Sequence, residues 1–259
     1  MGDSQSSGPG SRPESHAVVR AGGTLDSPIM LILAFAAAMA GFCIEETHLF
    51  RARPTLEKIN MMGVIYTDAS SRTRSVAEMF ELRGVMGTFG GILGFLMGLA
   101  GGLSARSRRA GMFAAAFGLG AGAVAGCVAV TIAVPIYERA EATSAGDLTR
   151  SILLHLALWT PLGAAAGVAH GLGSRGGRPL VRLAACEGAA AAAGLVGAAL
   201  GTVGYDLIGA FCFPLAETGK PLAAEPIPRL LGFTIVALGT AAVVALSARQ
   251  PPAPAAPKL

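Results

Sequence analysis

Residues Gly90 to Arg109 read GGILGFLMGLAGGLSARSRR, an apolar stretch with glycine at positions 90, 91, 94, 98, 101 and 102. In water each glycine would weaken a helix by about 1 kcal/mol relative to alanine. A bilayer changes that balance, because lipid tails are as apolar as leucine and helices there associate through close packing rather than hydrophobic burial. Gly94, Gly98 and Gly102 recur every fourth residue and fall on one helical face. Without side chains there, a second backbone can approach to dispersion and CαH···O distance. The device recurs: Gly118, Gly122 and Gly126 form such a face one helix on, Gly163, Gly167 and Gly171 form another, and Ala190, Gly194, Gly197 and Gly201 make a small-residue stripe.

Composition agrees with a membrane setting. The 259-residue chain is 53% hydrophobic and 14% charged, with a mean hydropathy of +0.58, outside the range of soluble domains. The net charge of +4 comes from arginines scattered over short connections, which reads as a topology signal and not as a nucleic-acid surface. Cys43, Cys127, Cys186 and Cys212 include no CxxC pair, so neither a zinc site nor a disulfide framework is expected, and they read as small buried helix residues. The wealth of Ala and Gly points to a GC-rich bacterial genome and hence to an inner membrane.

About six apolar runs are long enough to cross a bilayer core: 28–44, 84–105, 110–137, 152–173, 180–213 and 230–248. Residues 1–27 and 249–259 are rich in Ser, Gly, Pro or Ala and read as disordered tails. Ala38 to Ala40 (AMA) resembles a signal-peptidase site, but the long polar tail ahead favours an uncleaved anchor. Residues 45–83 form a polar extracytoplasmic segment, in which Ser75 and Glu78 make a capping box for a short amphipathic helix lying along the membrane surface. Arg106, Arg108, Arg109, Arg175, Arg178 and Arg182 cluster on one side of the membrane, which places both termini in the cytoplasm.

A shift of 69 positions lays Gly94, Gly98 and Gly102 on Gly163, Gly167 and Gly171, and Arg106 and Arg109 on Arg175 and Arg178. With one residue deleted, Gly126, Val128, Tyr137 and Glu138 meet Gly194, Val196, Tyr205 and Asp206. The fold expected is therefore an all-α integral membrane protein with Gly/Ala-rich packing and a tandem parallel repeat of helical hairpins. Leu246 to Arg249 (LSAR) repeats Leu103 to Arg106, so spans six and one could close a ring of three hairpins.

Four residues are candidates for lining a cavity or handling protons. Glu187 is an acid in an alanine-rich span and His170 ends the preceding span at a similar depth, so the two could pair. The competing reading has Glu187 snorkelling toward Arg178 or Arg182. Asp206, beside Tyr205, falls in the outer headgroup layer if its span is counted as about 20 residues, or lines a cavity if the helix end is re-entrant. Pro161 interrupts span four near the repeat position of Gly90 and Gly91 in span two; matched breaks mark transporter sites, whereas a lone kink is inert. His155 reads as interfacial. Glu45, Glu46 and His48 lack the second ExxH of a carboxylate metal site.

No P-loop, nucleophile elbow or HExxH is present, so no enzyme, metal or cofactor is expected. The first functional expectation is a structural or accessory membrane component, whose partners are the lipid bilayer and another membrane protein or further copies of itself. The alternative is a small-solute or cation transporter with a cavity between the hairpins.

Overall fold

The computed structural model describes residues 26–62, 64–141, 147–174, 183–214 and 218–249. Six helices dominate them: α1 (Asp26–Glu46), α2 (Ser71–Ser104), α3 (Arg108–Glu141), α4 (Asp147–Ser174), α5 (Leu183–Cys212) and α6 (Pro226–Ala248). Each is long and apolar enough to cross a membrane, which suggests an integral membrane protein. The tails at 1–25 and 250–259, and Arg175, Arg178 and Arg182, lie outside the described residues.

The polar segment after α1 differs from expectation. Strands β1 (Leu56–Met61) and β2 (Val64–Ala69) pair antiparallel, with Met61 opposite Val64 and Leu56 opposite Ala69. Met62, at the turn, has φ 54°, the left-handed backbone that tight hairpins require. Helix α2 begins just beyond, at the cap Ser70, whose Oγ accepts from the Thr73 N–H at 3.3 Å. Ser75 is not the cap and no separate surface helix exists: the polar first turns and the apolar span are one 34-residue helix. A cap placed at Ser70 satisfies the orphan amides of the first turn, so nothing stops the helix before the membrane.

Helices α2 and α3 join through a three-residue turn. Arg106 adopts φ 52°, and the Ser107 N–H bonds back to Gly102 O at 3.0 Å, a left-handed helix end. Ser107 Oγ then accepts from Ala110 N–H at 3.3 Å and starts α3. Beyond this turn the backbones run in contact. A Cβ on Gly98 would lie 2.5–2.6 Å from Ala114 and Ala115 backbone atoms, while Gly94 abuts Gly118, Gly90 abuts Gly122, and Gly126 abuts Met86. Gly102 meets Gly111 at the turn itself. The glycines of the opening stretch are thus the seam of this hairpin.

Helix α4 packs on α5 in the same manner, with Gly163 against Gly194 and Ala198, and Gly167 against Ala190 and Gly194. The stripe expected on α5 serves two neighbours: Ala190 and Gly194 meet α4, whereas Gly197 and Gly201 meet Gly239, Ile235 and Val236 of α6. The two hairpins do not share one docking register. Gly94 faces Gly118, but its counterpart Gly163 faces Gly194, the counterpart of Gly126, so α5 is displaced along α4 by about two helical turns.

Helices α2 and α4 pack together at the centre, with Gly101 and Gly173 in mutual backbone contact, and α1 lies against α6 and α2. Two-thirds of the α2 window (67%) is buried, against 28% for α1 and 33% for α3. The middle of the bundle is closed by Phe89 of α2, Trp159 of α4 and Phe233 of α6, which meet edge to face at centroid distances of 4.9–5.6 Å, a favoured arrangement of ring quadrupoles. Cys43, Cys127 and Cys212 are exposed on the outside of the bundle, not buried as expected.

Candidate functional site

A buried polar cluster lies between α4 and α5, beneath the α5–α6 connection. Helix α4 carries Ser151 and His155 one turn apart, and α5 carries Asp206 opposite them. Ser151 Oγ donates to Asp206 Oδ1 at 2.8 Å, and His155 Nδ1 lies 2.7 Å from the same oxygen. His155 Nε2 lies 2.8 Å from the Lys220 carbonyl oxygen; since a carbonyl only accepts, that nitrogen carries a proton and donates. The Nδ1 to Oδ1 contact then shares one further proton. Tyr205 packs its ring edge to face on His155 at 5.5 Å. All four residues are buried, with His155 and Asp206 side chains 1% exposed.

Asp206, Tyr205 and His155, expected at the outer ends of their spans, pack on one another inside the protein, and α5 runs on as one helix to Cys212, with α4 and the α5–α6 connection supplying the hydrogen-bond partners. The matching pair Tyr137 and Glu138 behaves differently: Glu138 is exposed and accepts from Ser75 Oγ at 3.0 Å, while the Tyr137 hydroxyl donates to Gly219 O at 3.1 Å.

The α5–α6 connection, described from residue 218, folds inward as a cover. Its carbonyl oxygens accept from three helices: Gly219 from Tyr137 of α3, Lys220 from His155 of α4, and Ala223 and Ala224 from Arg229 of α6 at 2.9 and 2.8 Å. Ala223 is buried. The Arg229 guanidinium also bonds Glu45 at 3.3 Å and Glu46 at 3.0 Å, tying in the end of α1. These two acids are therefore ion-pair partners, and among the described residues no group of three ligating side chains could hold a metal ion. Arg150 stacks on Tyr137 at 4.8 Å from the ring centroid.

Ser, His and Asp side by side do not make a nucleophile here. The serine hydroxyl donates to the carboxylate and lies 3.4 Å from His155 Nδ1, the same nitrogen that meets Asp206, while Nε2 is committed to a backbone carbonyl; acyl-transfer chemistry instead needs the acid and the hydroxyl on opposite imidazole nitrogens.

Of the other candidates, His170 is buried on α4, where its carbonyl oxygen lies against Gly101. Glu187 belongs to α5, but its side chain falls outside the described residues, as do its expected partners Arg178 and Arg182. Pro161 does not interrupt α4, which runs unbroken from Asp147 to Ser174, nor do Gly90 and Gly91 interrupt α2. A groove of about 330 Å³ opens between α2 and α3 beside Gly84, Gly87, Thr88, Gly91, Leu119 and Cys127. It faces outward, arises where glycines lack side chains, and touches none of Glu187, His170, Asp206 or Pro161. Ser151 and His155, spaced i and i+4 on a span otherwise apolar, are the signal that sequence reading passed over.

Compared with protein-family models, with curated proteins and with solved structures, the chain matches none.

Proposed function

We propose that the protein is a structural or accessory component of a bacterial inner membrane, with both termini in the cytoplasm, acting through its packed bundle on a membrane partner or on further copies of itself. The closed interior carries this reading: the Phe89, Trp159 and Phe233 cluster fills the centre, and α2 and α4 pass through their expected breaks without unwinding. The orientation rests on Arg106, Arg108 and Arg109 at the α2–α3 turn, at the same end as Arg249, which bonds Ser27. Under this reading the correspondence of 69 positions relates α2 and α4 as copies of one glycine-faced helix, with their partners docked in different registers.

A transporter of a small solute or cation is the second reading, favoured by one observation: Asp206 is an acid buried among apolar helices, and acids enclosed in membrane bundles mark ion or proton paths. A cysteine-accessibility scan separates the two. In a background without the four native cysteines, single cysteines at Ala166, Ala198 and Ala237, all fully buried, remain unlabelled by a small impermeant thiol reagent from either side if the bundle is structural. Labelling from either side makes transport the better reading, and Glu187→Gln then abolishes flux without lowering abundance.

A further inference from the structure

At the His155–Asp206 contact and one turn along from it, three buried polar atoms have no protein partner among the described residues: Asp206 Oδ2, Thr202 Oγ1 and Trp159 Nε1. Their positions can be fixed from the packing register. Helices α4 and α5 run antiparallel, with His155 facing Asp206 and Gly163 facing Ala198. Midway between those two contacts on each helix come Trp159 and Thr202, which puts them at the same level of the α4–α5 pair, with the far side of the Trp159 ring against Phe89 and Phe233. Thr202 and Asp206 are four residues apart on α5, so their side chains share a face with Cβ atoms about 5–6 Å apart. Thr202, Asp206 and Trp159 are all at most 2% exposed, and neither lipid nor bulk solvent can satisfy them.

We propose that Asp206 Oδ2, Thr202 Oγ1 and Trp159 Nε1 together bind one buried water molecule between α4 and α5. The chemistry selects water. The indole N–H only donates, the carboxylate oxygen only accepts, and the hydroxyl does both; a water accepts from the first, donates to the second and completes its set with the third, the three bonds typical of interior waters. A metal or alkali cation has no use for the indole N–H. The charged and titratable groups around the seat are consistent with a neutral guest: His155 already lies against Asp206 Oδ1, Tyr205 stacks on His155, and Arg229 is occupied by Glu45, Glu46 and two carbonyls. The water lies next to the proton shared by His155 and Asp206, under the cover formed by residues 218–225, and gives that carboxylate a second hydrogen-bond partner. This inference is independent of whether the bundle is structural or transports a solute.

Trp159 is the single tryptophan of the chain, so its indole resonance needs no assignment. The test uses the full-length protein, labelled with 15N-tryptophan, in nanodiscs. The expected result is an indole N–H shifted downfield as a hydrogen-bonded group, slow to exchange, with a direct cross-relaxation peak to water. A slowly exchanging indole at the position of a free N–H, without a water peak, overturns the proposal. Variants add a second reading through thermal unfolding. Thr202→Val is expected to lower Tm by several degrees, Thr202→Ser to restore it, and Thr202→Val combined with Trp159→Phe to lose less than the sum of the two, because each dislodges the same water. Simple additivity, or a Thr202→Val protein as stable as the parent, overturns the proposal, and so does a saturable rise of Tm in sodium chloride over choline chloride, which assigns the seat to a cation.

Discussion

Gly98→Ala tests whether the glycine seam holds α2 to α3. A Cβ at Gly98 would sit 2.5 Å from Ala114 C and 2.6 Å from Ala114 O and Ala115 N. All three are backbone atoms that no rotamer change can move. Ordinary contact begins at 3.4 Å, so the helices must part there by about 0.9 Å, the difference between 3.4 and 2.5 Å. A gap of that size forfeits roughly a quarter to a half of each dispersion well of about 0.1–0.2 kcal/mol, and over on the order of forty atom pairs this comes to about 1–4 kcal/mol. Alanine returns up to about 1 kcal/mol of helix propensity, which leaves a net loss of up to about 3 kcal/mol. Gly120, on the partner helix α3, has nothing within 4 Å of the same added atom, so Gly120→Ala should be neutral or up to about 1 kcal/mol stabilising. The assay is reversible unfolding in mixed micelles by titration with a denaturing detergent, followed by circular dichroism. Equal stability of the two variants, or a Gly98→Ala protein more stable than Gly120→Ala, would refute the idea that backbone approach holds this hairpin.

Three further outcomes follow from the hairpin end of the bundle. His155→Leu leaves Asp206 buried without its main partner and should cost about 3–5 kcal/mol in the same unfolding assay, most of it recovered when Asp206→Leu is added. Arg229→Ala frees the Ala223 and Ala224 carbonyls and the two acids of α1, so deuterium uptake by amides of residues 218–225 should accelerate by about tenfold or more; Arg229→Lys, a point charge that cannot fork, should leave uptake nearly as fast. Asp68 is held below the usual carboxylate range by the Ala69 N–H and then by Arg74. Its contribution is present above the ordinary aspartate value of about 4 and fades as pH falls through its lower folded value. Exchange protection of β2 amides should therefore survive at about pH 5, weaken below about pH 4, and be lost at a higher pH in Arg74→Ala or in high salt.

How much of this was legible in the sequence depends on the range of the interaction involved. Span number and the glycine faces are local patterns, and hydropathy with a spacing of four locates all six helices to within a few residues at most ends. The hairpin was also legible: LEKINM and VIYTDA place β-branched and aromatic residues around Met62–Gly63, a strand signal that the expectation of a purely helical chain overrode. The start of α2 was missed because the span was begun at Gly84 and a separate short helix was capped at Ser75, whereas the hairpin delivers the chain at Ser70, which caps a single helix from Ser71. The polar centre could not be read locally, because His155 and Asp206 meet across 51 positions of sequence. Counting about 20 residues to end span five assumes that lipid and water decide where a helix stops. Here α5 is 30 residues long, and protein partners on α4 satisfy Asp206 within it.

The different fates of Glu138 and Asp206, which align when one residue is deleted from the 69-position shift, follow from how far each seam extends. On α2 and α3 the close approach runs from Gly102 and Gly111 at the turn through Gly98, Gly94 and Gly90 to Met86 opposite Gly126. The same register carried onward puts Ser75 opposite Glu138, and those two residues do bond, at the exposed rim. Backbones held that close leave no volume for an imidazole or an indole between them. On α4 and α5 the seam stops at Gly163 and Ala198. Beyond it α4 carries Trp159, His155 and Ser151 in place of glycine, Ser151 and His155 reach Asp206 of α5, and that acid becomes enclosed. The position of the last glycine in each seam thus decides whether the acid beyond it, Glu138 or Asp206, faces the solvent or the protein interior. Placing Leu at Gly163 should extend the open part of the α4–α5 interface, while the α2–α3 hairpin, whose seam is complete without it, keeps its spacing.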